Sequence, residues 1–219
     1  MNVERTTGVI LRLRPLTDSS LIVQWLTADY GRLATLAKGA RRAKSSFRGQ
    51  LDLFYSAEFS FARSARSELH NLRESKTLDT HASLREDLGW LQQACYAAAL
   101  LEQTTETETP LPILYEQFSQ FLSELSRHPP QPQTIFAFEM KLLNELGLRP
   151  NLADAALTPG SRQILDKFIK LDWPSIFRLR LSPAQLPEIG QFLHQFLVYH
   201  AGKVPKGRSS ALGEFHAQR

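Results

Sequence analysis

The sequence predicts an α+β protein: an N-terminal five-stranded OB-fold barrel over residues 1–80, followed by an all-α helical domain over residues 81–219. Three observations carry that prediction. Up to about residue 78 the apolar residues alternate at period two or form short β-branched and aromatic runs, and beyond it they recur at helical period. Charge divides at the same place, with 13 Lys and Arg against 8 Asp and Glu in residues 1–80, then 13 against 14 in the remainder. Five apolar runs separated by short polar turns fit within about 75 residues, the size of a small closed barrel.

The first strand is "TGVILRLRPL", in which Val9, Leu11 and Leu13 face one way and Arg12 and Arg14 the other. A "TDSS" turn leads to "LIVQWLT", "DYGR" makes a second turn, and "RLATLAKG" is a third strand that runs into a basic segment. The fourth strand, "LDLFYSAEFSFA", sets Leu51, Leu53, Tyr55, Ala57, Phe59 and Phe61 on one face. A polar "RSARS" turn precedes the fifth, "ELHNLRESKTL".

Helical spacing begins at Ser83, which with Glu86 forms the pattern of a capping box ahead of a stripe of Leu84, Leu88, Leu91, Cys95, Ala98 and Leu101. A second helix carries Leu111, Leu114, Phe118, Phe121, Leu122 and Leu125 and stops before "HPPQPQ". The third, "TIFAFEMKLLNELG", is apolar over much of its circumference, the mark of a central buried helix, and ends at Gly147. Ser161 is placed to cap a short helix along Ile164, Leu165, Phe168 and Ile169. Ser182 and Pro183 open the last helix along Leu186, Ile189, Leu193, Phe196 and His200, after which a basic, frayed C-terminal tail is expected.

Little here points to catalysis. No GxSxG, HExxH or Cys/His cluster occurs, and His194 and His200, six apart, fall on different helix faces. "GKVPKGRS" comes within one residue of a phosphate-binding P-loop. It fails because a helix precedes it where a strand belongs, Pro205 stiffens it, and Arg208 stands where the lysine should be. The single cysteine, Cys95, excludes an intrachain disulfide and a four-cysteine zinc site, which fits a reducing, cytoplasmic setting. No apolar run approaches the roughly 18 residues of a membrane-spanning helix.

The informative stretch is "AKGARRAKSSFRG", residues 37–49, with Lys38, Arg41, Arg42, Lys44 and Arg48 and no acid. Such runs are most often solvated loops. Here the run connects two strands of an expected OB barrel, a fold that binds single strands with a basic track for phosphates and aromatic platforms for bases. Gly39, Ser45, Ser46 and Gly49 suggest an adaptable loop without a core of its own. Phe54, on the polar phase between Asp52 and Ser56, either stacks a base or packs under the loop or against the helical domain. The rival reading, a basic peripheral membrane-binding or protein-scaffold module, lacks the bulky apolar anchors of a membrane surface.

The stretch "GVILRLRPLTDSSLIVQWLTADYGRLATLAKGARRAKSSFRGQLDLF" resembles the N-terminal region of the bacterial recombination mediator family RecO. The resemblance rests on the "TDSS" turn, "GRL", "AKGARR" and "RGQLDLF". "FEMKLLNELGLRPNL" and "YHAGKVPKGRS" resemble the family's central helix and C-terminal end. Many members carry four zinc-binding cysteines after that helix, whereas "ADAALTPGSRQIL" has none, so no metal site is expected. The resemblance implies a DNA-repair mediator with neither enzymatic activity nor cofactor. Such a mediator binds single- and double-stranded DNA and anneals complementary strands. With RecR it helps load the recombinase onto strands coated by single-stranded-DNA-binding protein, whose acidic C-terminal tail would meet the helical domain. It implies a cytoplasmic, nucleoid-associated place and no membrane. The phosphate candidates are Arg12, Arg14, Arg32, Lys38, Arg41, Arg42, Lys44 and Arg48, with Phe54 as the candidate stacking ring.

Overall fold

The computed structural model describes residues 3–213. They divide into two compact units. One runs up to Ala82 and includes Thr105–Ser119; the other comprises Ser83–Thr104 and the chain from Gln120 onward.

The first unit is a closed barrel of β1 (Val3–Pro15), β2 (Leu21–Thr27), β3 (Gly31–Ala37), β4 (Ser56–Ala62) and β5 (Leu69–Asp79), ordered β1-β2-β3-β5-β4. All neighbours are antiparallel except β3 and β5, which pair in parallel from Ala34↔Leu69 to Leu36↔Asn71. This is the expected OB fold. Ile10, Val23, Trp25, Leu33, Phe59 and Phe61 fill the interior, each worth about 1.5–3 kcal/mol of burial. Trp25 stacks on Phe59 at 4.0 Å, and its ring N–H donates to Thr35 Oγ1 at 2.8 Å.

Two strand readings change. A bulge in β1 between Ile10, paired with Trp25, and Arg12, paired with Gln24, inserts one residue and reverses the inward phase. Ile10 therefore belongs to the barrel core and Leu13 packs against it, while Val9 and Leu11 are buried outside that cluster. The expected fourth strand begins only at Ser56, because Asp52–Tyr55 is a turn closed by the Tyr55 N–H donating to the Asp52 carbonyl at 3.1 Å.

Thr105–Thr109 runs along the start of β3. Thr107 bridges Arg32 in parallel, and the Glu108 N–H donates to the Arg32 carbonyl at 2.7 Å. Gly31, at φ +64°, permits this approach, since a Cβ there would lie 1.8 Å from the Thr109 carbonyl oxygen. Arg63 donates to Glu4 Oε1 at 2.9 Å and to Glu108, holding the Glu4 carboxyl below its usual range. The Ser64 N–H occupies Nδ1 of buried His70 at 3.2 Å, leaving the Nε2 proton to bond Glu108 Oε1 at 2.8 Å.

The second unit is helical, with α1 (Leu88–Thr104), the end of α2 (Pro112–Leu125), α3 (Pro132–Glu145), α4 (Pro159–Lys170), α5 (Trp173–Arg178), α6 (Gln185–Ala201) and the single turn α7 (Arg208–Ala211). α3 is buried from Gln133 through Leu143, as its apolar circumference predicts. The cap of α1 is Asp87, whose carboxylate accepts from the N–H of Gly89 and Trp90 at 2.6 and 3.3 Å; Ser83 sits in a 3₁₀ turn and donates to Ser126. The buried face of α1 is Ala94, Ala97, Ala98, Leu100 and Leu101 with Tyr96, and the expected stripe leaves Leu88 and Cys95 in solvent. Thr158 rather than Ser161 caps α4.

The expected frayed tail is ordered through Gly213 and locked by charge; residues 214–219 lie outside the described residues. Arg208 Nε and Nη2 donate to Glu139 Oε1 and Oε2 at 2.7 and 2.9 Å, and the Tyr96 hydroxyl donates to Oε1 at 2.6 Å. Glu139 is fully buried and Arg208 nearly so. Burial, reinforced by the carboxylate beside it, pushes the Tyr96 phenol well above its usual range and keeps it a donor. Such a pair is costly to break because either partner alone is a buried charge.

Candidate nucleic-acid interface

The basic segment leaves β3 as a chain of consecutive tight turns. Arg42 N–H donates to the Gly39 carbonyl, Ser45 to Arg42, Arg48 to Ser45 and Gln50 to Phe47, at 3.0 to 3.2 Å. Gly39 and Gly49 stand at φ +68° and +73°, conformations that glycine adopts without penalty. The Arg41 N–H donates to the Ser19 carbonyl at 3.0 Å, tying the segment to the turn between β1 and β2. Phe47 is 8% exposed and belongs to the barrel core. The segment is therefore anchored rather than adaptable: one aromatic plugs into the barrel and the backbone bonds to itself.

Fixing the backbone turns the charges outward. Lys38, Arg41, Arg42, Lys44 and Arg48 are all exposed, and among the described residues none of the five lies in an ion pair. Arg41 and Arg48 reach only neutral carbonyls, of Thr17 and Ala43, both at a long 3.4 Å. Arg41, Arg42 and Arg48 rim a concavity of about 360 Å³ with Leu21, Phe47 and Leu51 in its wall. Cations held on a rigid frame with no competing carboxylate suit a polyanion, because little is lost in ordering them and no internal pair must break.

The other candidates separate. Arg14 is exposed near the end of β1, beside the turn that Arg41 contacts, and Arg12 is half-buried opposite Gln24. Arg32 does not join them: its Nε donates to Thr105 Oγ1 at 2.7 Å and its Nη2 to the Thr105 carbonyl, so its guanidinium holds the Thr105–Thr109 segment. Phe54 is fully buried at φ +64°, its N–H donating to the Ile10 carbonyl at 2.9 Å, so its ring offers no face to a base. Sequence reasoning missed Phe47 as the anchor. Its signal was a lone aromatic within thirteen otherwise small and cationic residues.

Two family descriptions match the chain: "Recombination protein O N terminal" over residues 1–81 and "Recombination protein O C terminal" over residues 85–158. A DNA repair protein RecO of Listeria monocytogenes is 31% identical over 156 residues, covering 71% of this chain and 60% of the relative. One from Anaeromyxobacter dehalogenans is 32% identical over 161 residues, covering 74% and 63%. The chain thus spans somewhat under two thirds of the length of these relatives.

Proposed function

The chain belongs to the RecO family, and from that premise we propose that it is a DNA-binding mediator of recombinational repair. In this reading it holds single and double strands by their phosphates through Arg14, Lys38, Arg41, Arg42, Lys44 and Arg48, with Arg12 at the margin, and anneals complementary strands. Residues 1–80 carry most of the salt-dependent affinity. One observation carries the reading: five cations on an ordered run of turns, all facing solvent with no carboxylate among them. Annealing chiefly requires that the repulsion between two phosphate backbones be neutralised while base edges stay free to pair, and a cationic frame does that without sequence preference. No ATP hydrolysis by this chain is involved. RecR, and single-stranded-DNA-binding protein through its acidic tail, are the proposed protein partners.

The experiment is annealing of complementary labelled strands followed by fluorescence quenching, without ATP. Acceleration proportional to protein, abolished by high salt, is expected. A rate equal to that of the free strands, together with no mobility shift of either strand, would exclude the reading.

A further inference from the structure

The C-terminal half of α6 carries a run of neighbouring rings. Phe192, Phe196 and His200 recur every fourth residue, with centroids 6.1 and 4.4 Å apart, and Tyr199 meets His200 edge-on at 4.9 Å. The inner face of the helix is already satisfied by buried Ile189, Leu193 and Leu197. Phe192 and Phe196 are half-buried at the edge of that face, and Tyr199 and His200 are exposed beyond them. Tyr199 is 85% exposed.

Charge indicates what covers it. From Gly190 to Lys206 the chain has no Asp or Glu, and the exposed Lys203 and Lys206 follow directly on the helix. The one acid of α6, Glu188, is engaged at the opposite end, accepting from the Thr158 N–H at 2.6 Å and from Ser161. Gln103 donates to the Ala201 carbonyl at 3.2 Å, fixing the exit that carries Lys203. Flat rings followed by cations, in a segment without an acid, match an anionic polymer whose units themselves have flat apolar faces, which is single-stranded nucleic acid.

We propose that the exposed end of α6, with Tyr199 and His200 backed by half-buried Phe192 and Phe196 and followed by Lys203 and Lys206, is a second strand contact that stacks unpaired bases. It rests on the DNA-binding reading above and adds a selectivity that phosphate contacts lack. A duplex hides its base faces, so this surface distinguishes single from double strands while the basic turns hold both.

The test is fluorescence anisotropy of the full chain on a short single strand and on a blunt duplex, comparing Arg41→Ala/Arg42→Ala/Lys44→Ala with Tyr199→Ala/His200→Ala. Losing two stacking rings should weaken single-strand binding about 30-fold or more, leaving duplex affinity and the salt slope unchanged. The triple variant should weaken both. Unchanged single-strand affinity in Tyr199→Ala/His200→Ala would overturn the proposal, and so would a dimer in sedimentation that this variant converts to monomer without altering DNA affinity. Failure of the unaltered chain to bind either DNA would instead remove the underlying reading. Photocrosslinking of an iodouracil-substituted strand to Tyr199 gives a readout independent of the variants: the adduct is expected, and its absence while other residues crosslink counts against the proposal.

Discussion

Replacing Arg41, Arg42 and Lys44 together by alanine should weaken single-strand and duplex binding alike and slow annealing. Stability should move by no more than about 0.5 kcal/mol, because these side chains are exposed and make no ion pair among the described residues. Equilibrium unfolding beside anisotropy separates the two effects. Arg208 behaves oppositely. Arg208→Ala leaves Glu139 buried without its counter-charge and with only Tyr96 to bond it, and should cost about 3–5 kcal/mol in urea unfolding, whereas Glu139→Gln/Arg208→Met should cost less. Glu4 sets a pH limit. Arg63 holds its carboxyl below the usual range, so its stabilisation is complete above about pH 4.3 and is lost as pH falls through the lowered folded value. Arg63→Ala should flatten that acid loss in melting temperature against pH. Single residues were the least legible scale. Exposed cations can be read from local composition, but the partner of Arg208 lies 69 positions away and nothing local announces it. Of the two roles open to Phe54 from sequence, packing is the one its full burial allows, and strand alternation could not decide between them because Asp52–Tyr55 is a turn.

At the scale of elements, the basic segment depends on Phe47. Phe47→Ala should cost about 3 kcal/mol or more and loosen the turns, weakening DNA binding although no charge is removed. Amide exchange of Arg42, Ser45 and Arg48 reports that loosening directly. The segment between α3 and α4 is held by side-chain bonds. Glu188 accepts from Thr158, Arg149 donates to Asp166 at 2.8 Å, and Arg162 donates to the Ala155 carbonyl at 2.8 Å. A chelator should leave the melting temperature unchanged, while Glu188→Ala should lower it. Element type was legible wherever a period persisted, as in α3 with its buried circumference and in β2 and β3. Caps and phase were not. Asp87 and Thr158 lie four and three residues from equally plausible Ser83 and Ser161, and the β1 bulge, which depends on pairing with Trp25 and Gln24, inverts a face without altering the alternation.

For the whole molecule, five short strands and a change of period were sufficient to expect an OB barrel and helices, since few other closures suit strands of that number and length. The grouping of Thr105–Ser119 with the barrel was not legible, because it depends on Gly31 admitting a distant backbone. The central claim is that this molecule meets DNA through phosphates on a rigid cationic frame, and the salt dependence of affinity tests it most directly. If about five phosphates are neutralised, the logarithm of the binding constant should fall against the logarithm of salt with a slope near −3.5 on single strands and −4.5 on duplex. The Arg41→Ala/Arg42→Ala/Lys44→Ala variant should lose about 2 and 2.7 units of slope, respectively. A slope near zero, or a variant with the slope of the unaltered chain, would contradict the account.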